Sequence, residues 1–117
     1  MKIINKTRNT IIANNVVVAR GALQRMQGLL GKKSIAYDKA LVIEKCNSVH
    51  TFFMQFAIDV LFVDKNNKIV GICPALKPWR LSPVFLKASF VIELPAGTIF
   101  SAIAQIGDII FLERIYK

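Results

Sequence analysis

The stretch Asp59-Val60-Leu61-Phe62-Val63-Asp64-Lys65-Asn66-Asn67-Lys68-Ile69-Val70-Gly71-Ile72-Cys73 decides the fold. Two short apolar runs flank Lys65-Asn66-Asn67, and asparagine tolerates the positive φ of a tight turn. The segment therefore predicts a β-hairpin with arms Asp59 to Asp64 and Lys68 to Cys73. Neither arm alternates apolar with polar, and a strand that is apolar throughout is buried on both faces.

Upstream, Ala40 to Glu44 and Val49 to Met54 are β-branched or aromatic and read as strands. Lys2 to Ile4 and Thr10 to Ala19 do too, punctuated by Asn5-Lys6-Thr7-Arg8-Asn9 and Asn14-Asn15. Between them the period changes. Leu23, Met26, Leu29 and Leu30 fall three and four apart, which predicts an amphipathic helix over Arg20 to Leu30, closed by Gly31. Lys32 and Lys33 follow, where the helix dipole favours cations.

Downstream, Pro74 to Pro83 holds three prolines, Trp79 and Arg80, and predicts a stiff irregular loop. Ala88 to Leu94 returns to strand, and Pro95-Ala96-Gly97 turns the chain. Thr98 to Gln105 predicts a short helix capped by Thr98. Gly107-Asp108 leads into a last strand, Ile109 to Glu113. The fold class is mainly β (α+β): a small β-barrel-like core of about nine short strands, with one or two helices packed outside. The 117 residues make one domain, 1–117, with no internal repeat, linker or low-complexity tract.

Composition narrows the class further. No apolar run approaches the roughly 18 residues that span a bilayer; the longest, Ala57 to Val63, is broken by Asp59. Met1-Lys2-Ile3-Ile4-Asn5-Lys6 lacks the apolar stretch of a signal peptide, so the expected location is cytoplasmic. Cys46 and Cys73 are too few for a disulfide scaffold and read as free thiols in apolar surroundings. The net charge is +9, from 16 basic and 7 acidic residues, with no basic run longer than two. A nucleic-acid binder clusters its charge on one face, often among aromatics; here sequence gives only the excess.

Several segments together resemble the DUF192 (UPF0127) family. They are Arg25-Met26-Gln27-Gly28-Leu29-Leu30, then Val49-His50-Thr51-Phe52-Phe53-Met54 with Ile58-Asp59-Val60-Leu61-Phe62-Val63-Asp64. Pro78-Trp79-Arg80, Val91-Ile92-Glu93-Leu94-Pro95-Ala96-Gly97 and Gly107-Asp108 complete the pattern. Leu30 stands where the family's helix block carries methionine. The resemblance spans Val17 to Phe111. It implies a small β-barrel-like domain with helices outside, of no settled biochemical role, so no catalytic residues carry over. Many family members carry signal peptides; this N-terminus does not resemble one.

Candidate chemistry centres on few residues. His50 is the only histidine and the only side chain that ordinarily titrates near neutrality. Cys46 lies four positions before it. A thiol–imidazole pair is a nucleophile, but four strand residues separate the two by about 13 Å. On a strand, His50, Phe52 and Met54 share one face, which is either buried or an aromatic surface strip. Asp59 and Glu93 sit in apolar strands and need partners, for which Arg25 and Arg80 are candidates. A polar pocket of His50, Asp59, Arg80 and Glu93, rimmed by Trp79, is one arrangement that satisfies them.

Metal sites find no support. One histidine and two separated cysteines make no zinc signature, and Asp64 to Ile69 lacks the glycine and the distal glutamate of a calcium loop. No cofactor motif is present. Gly28 to Gly31 ends a helix, whereas a phosphate loop opens one.

Three functions remain. The first is a non-enzymatic binding or assembly domain for a partner of unknown identity, contacting it through Phe52, Met54 and Trp79 beside Arg80. The second is a small polar or anionic ligand-binding protein, or an enzyme, using His50, Asp59, Arg80 and Glu93. The third is a nucleic-acid or polyanion binder.

Overall fold

In the computed structural model, residues 1–20, 25 and 31–113 are described. They form eight strands and one short helix: β1 (Lys2–Asn5), β2 (Thr10–Ala13), β3 (Asn15–Ala19), β4 (Lys39–Glu44), β5 (Ile58–Val63), β6 (Ile69–Leu76), β7 (Phe90–Pro95), α1 (Thr98–Ser101) and β8 (Ile110–Glu113). The helix expected over Arg20 to Leu30 lies outside the described residues, apart from Arg20 and Arg25.

The central hairpin is present. β5 and β6 pair antiparallel from Val63↔Ile69 to Ile58↔Leu76. At the turn, Asp64 Oδ1 accepts the amides of Asn66 and Lys68, both at 2.9 Å, and Asn67 takes φ 62°. Every residue of β5 is buried. The reason is its place: β7 pairs with its other edge, inside a five-stranded sheet of order β3-β4-β7-β5-β6.

A second sheet, β2-β1-β8, lies over one face of the first. Ile3, Ile12 and Ile110 from the small sheet meet Val42, Leu61, Ile92 and Leu94 from the large one. Asn5, Arg8 and Asp108 lock its end: Asn5 Nδ2 donates to Asp108 Oδ2 at 2.8 Å, and Arg8 Nε lies 3.2 Å from Oδ1. Burial opposes the charge of Asp108, but Asn5, Arg8 and the Gln105 amide outweigh it and hold the carboxyl below its ordinary range.

The opposite face of the large sheet carries Leu41, Ile43, Val60, Phe62 and Val91. It is covered by two irregular segments, 47–56 and 77–88. Phe85 reaches in from the second, its ring 4.3 Å from that of Phe62. Gly71 leaves room for it, since a Cβ there would sit 2.4 Å from the Phe85 ring.

Four expectations are corrected. The strands pair as two packed sheets, joined at one corner by the Lys68↔Ile109 bridge, and among the described residues they do not close into a barrel. Val49 to Met54 is not a strand. Among the described residues its only ladder contact is one bridge, His50↔Leu81, and Phe53 at φ 66° turns the chain. Pro74 does not end the strand: β6 runs through it on a sheet edge, where its missing N–H costs no ladder bond, with Ala75 bulged at φ 50°. The helix after Gly97 spans only Thr98–Ser101, and Thr98 does not cap it. Its hydroxyl donates to Pro95 O, while Asp59 Oδ2, from β5, accepts the amides of Gly97 at 3.0 Å and Ile99 at 2.8 Å. A carboxylate delivered by the sheet thus does the work of a local cap.

Candidate functional site

Thr51 organises the surface on the outer side of the two irregular segments. Its amide donates to Arg80 O at 2.9 Å, and its carbonyl accepts the Trp79 amide at 2.9 Å. Its hydroxyl donates to Lys77 O at 2.5 Å and accepts the Arg80 amide at 2.9 Å. Ser82 repeats the pattern two residues on: its amide donates to Val49 O, and its hydroxyl accepts the Val49 amide, both at 2.9 Å. Phe85 N–H then donates to Asn47 O. The two segments are thereby stitched side by side, and each stitch satisfies a backbone group that the sheet cannot.

This stitching presents aromatics to solvent. Trp79 is 54% exposed and Phe53 is 63% exposed, their rings 4.7 Å apart at 60°. Phe52 lies 6.1 Å from Trp79 and stacks on His50 at 5.0 Å. Leu81, Val84 and Leu86 continue the surface, each more than half exposed, with Leu86 at 86%. Phe53 and Trp79 both have positive φ, at 66° and 62°. Bulky residues rarely take that conformation, and it persists only where surrounding bonds over-determine it. Here Thr51 supplies those bonds.

Of the expected partner residues, Trp79 and the half-buried Phe52 reach this surface. Met54 does not. It is 3% exposed because the turn at Phe53 sends it into the core beneath, where its sulfur lies 3.8 Å from Arg25 Nη2.

The four polar candidates are placed apart. Val60 is the β5 neighbour of Glu93, whereas Asp59 is opposite Leu94, so Asp59 and Glu93 project from opposite faces of one sheet. Asp59 Oδ1 accepts the Ala75 amide at 2.8 Å, which completes three backbone bonds with Gly97 and Ile99. Arg80 is exposed, and its guanidinium lies 3.4 Å from Trp79 O. Glu93 pairs instead with Arg25, Nε to Oε1 at 2.5 Å, both side chains buried. Arg25 also donates to His50 O at 2.6 Å, so it ties the sheet to the start of the aromatic segment.

Electrostatics differ at the two ends of that tie. Burial raises the Glu93 carboxyl from 4.5 to about 7, against the pull of Arg25. Its second oxygen, Oε2, has no hydrogen-bond partner among the described residues. Burial, and then the charge of Arg25, hold the His50 imidazole below 6.5. Its Nδ1 accepts the Phe52 amide at 3.2 Å. A hollow of about 230 Å³ opens beside this group, with Arg25, Cys46, Ser48 and His50 among its lining. Cys46 Sγ is 3.0 Å from Ser48 O. Both cysteines are free, and burial pushes the Cys73 thiol up. Among the described residues, no cluster of three or more histidine, cysteine or acidic side chains could hold a metal, and no helix is long and apolar enough to cross a membrane.

Sequence reasoning did not place Phe53, Leu81, Val84 or Leu86 on the surface. Each is an apolar residue in a segment of strand or loop composition, and no periodicity separates it from a core residue.

Comparison with known proteins agrees with this architecture. A family model described as Uncharacterized ACR, COG1430 (DUF192) matches residues 3–112. A UPF0127 protein of Thermococcus sibiricus is 33% identical over 110 residues, covering 91% of this chain and 71% of the relative. A UPF0127 protein of Pyrococcus horikoshii is 33% identical over 109 residues, covering 91% of this chain and 94% of the relative. A crystal structure of a protein of unknown function from Novosphingobium aromaticivorans superposes with TM-score 0.78 at 13% identity, covering 95% of this chain and 82% of that one. At that identity the likeness is one of fold.

Proposed function

This chain belongs to the DUF192 family, and on that premise we propose that it is a non-enzymatic binding domain whose contact surface is the Phe53–Trp79–Leu86 face. One observation carries the reading. Two bulky aromatics, Phe53 and Trp79, are held at positive φ and presented to solvent by the Thr51 bonds. Folding gains nothing from exposing them, whereas a preorganised aromatic–aliphatic face lowers the entropy lost on binding. Tryptophan and arginine are also among the residues most enriched at binding hot spots.

The test is a photo-crosslinking amino acid at position 86, with position 11 of β2 as control, since Ile11 is 51% exposed in the sheet packed on the opposite face. Discrete covalent adducts in growing cells are expected from position 86 and not from position 11. If neither position gives adducts, or both give the same smear, the surface reading is wrong.

A second reading, a small-ligand site, is favoured by the hollow beside Arg25 and His50. It requires a bound small molecule whose affinity falls in His50→Gln while Trp79→Ala leaves it unchanged.

A further inference from the structure

We propose that the partner of the Phe53–Trp79–Leu86 face is an anionic phospholipid surface. Trp79, Leu81, Val84 and Leu86 would enter the interface while Lys77, Arg80 and Lys87 meet the headgroups; this rests on reading that face as the binding surface. The charge along the two segments that build the face is of one sign. Segments 45–57 and 77–92 contain Lys45, Lys77, Arg80 and Lys87 and no acidic residue. The nearest acids along the chain are Glu44, before the first segment, and the buried Asp59 and Glu93. An occupant that satisfies such a face carries negative charge.

The apolar part selects among anionic occupants. Leu81, Val84 and Leu86 are aliphatic and offer no flat face for a base, and the Trp79 ring packs tilted against Phe53. Single-stranded nucleic acid binds through stacked faces, and duplex readout uses hydrogen-bonding side chains where these aliphatics stand. A second copy of the chain would bring Lys77, Arg80 and Lys87 to both sides of the contact, and like charges facing each other cost affinity. An acyl boundary takes aliphatic tips readily, and tryptophan with lysine and arginine is the composition of interfacial anchors.

Backbone chemistry limits the depth of entry. The amides of Trp79, Arg80, Ser82 and Phe85 all donate to the 47–51 segment, and Pro78 and Pro83 have no N–H to satisfy. Those of Leu81, Val84 and Leu86 have no partner among the described residues, so the backbone stays at the hydrated headgroup level and only the side-chain tips reach the acyl boundary.

Trp79 is the only tryptophan, so the protein carries its own probe at the proposed point of entry. The experiment mixes the full chain with vesicles of phosphatidylglycerol and phosphatidylcholine, or phosphatidylcholine alone, and follows tryptophan emission. A blue shift on anionic vesicles, with quenching by bromine on the acyl chains, is expected. Leu86→Asp should weaken binding about tenfold or more, and Lys77→Ala or Lys87→Ala about fivefold each; Ile11→Asp should leave it unchanged. Leu86 is nearly all exposed, so its substitution does not threaten folding.

Three results overturn the proposal: no shift on anionic vesicles, co-sedimentation without acyl quenching, or tighter binding to a single-stranded RNA oligomer than to vesicles. Adducts from position 86 together with failed vesicle binding would remove the lipid and leave the surface. Absence of both would remove the two readings together.

Discussion

Replacing Glu93 with glutamine separates burial from ion pairing in the core. Glu93 lies between Leu41 and Val60 across its neighbouring strands, fully buried, with one oxygen on Arg25 and the other without a partner among the described residues. Its carboxyl is raised from 4.5 to about 7, by burial first and against Arg25. The folded state therefore holds this proton more tightly than the unfolded chain does. The stability it contributes is fully present below pH 4.5, falls as pH rises toward about 7, and is flat beyond. At 1.36 kcal/mol per pH unit, the loss is about 3 kcal/mol. Glu93→Gln keeps an oxygen for Arg25 Nε and cannot ionise, so its stability should lack this component.

The assay is urea unfolding followed by circular dichroism, at intervals from pH 4.5 to 8, for both proteins. His50, held below 6.5, works in the opposite sense: its stability is present above 6.5 and lost as pH falls. It acts in both proteins and cancels in the difference. The wild type should lose about 3 kcal/mol relative to Glu93→Gln across the range. A difference that varies by less than about 1 kcal/mol would refute the argument from burial. Such a flat difference would mean that the field of Arg25 dominates and Glu93 is ionised throughout.

Three further outcomes follow from the geometry. Asp59→Ala strips the partner from the amides of Ala75, Gly97 and Ile99, and urea midpoints should report a loss of about 3 kcal/mol; a loss under about 1 kcal/mol would mean water replaces the carboxylate. Gly71→Ala drives a methyl into the Phe85 ring, costs about 1–3 kcal/mol, and should free the 77–88 segment to limited proteolysis. Thr51→Val keeps the shape but removes the hydroxyl from Lys77 O and the Arg80 amide, and should cost about 1–3 kcal/mol. In the same variant, hydrogen exchange at Trp79, Arg80 and Ser82 should accelerate together, and unchanged exchange there would show that the other stitches suffice.

The hairpin was legible because its information is local: apolar arms and an asparagine turn lie within one stretch, although burial on both faces holds for β5 and not for the edge strand β6. The need of Asp59 and Glu93 for partners was legible too, and Arg25 does answer Glu93. What sequence could not supply was register. Opposite faces for Asp59 and Glu93 follow from Val60 standing beside Glu93, which depends on how β5 slides against β7. The segment from Val49 to Met54 misled for a different reason. Its aromatic and β-branched composition favours a strand, but its backbone bonds go to 79–82 instead, and Phe53 takes a conformation that composition argues against. The exposed aliphatics of the 81–86 stretch carried no periodic signal at all.

The small sheet also fixes an order of events in the making of the protein. β1 is its middle strand, and its two partners come from opposite ends of the sequence. β2 follows after a short turn, but β8 starts at Ile110, and the Asn5–Asp108 bond spans 103 positions. At ribosomal speed that separation takes on the order of ten seconds. Throughout that interval β1 offers one unpaired edge, a template for the same strand on a neighbouring nascent chain. Ribosome-stalled chains ending before Ile110 should stay open to protease across β1 and β2, and protection should arrive in a single step once β8 emerges. The danger of misassembly in this protein is therefore concentrated in time, and it ends with the emergence of the last strand.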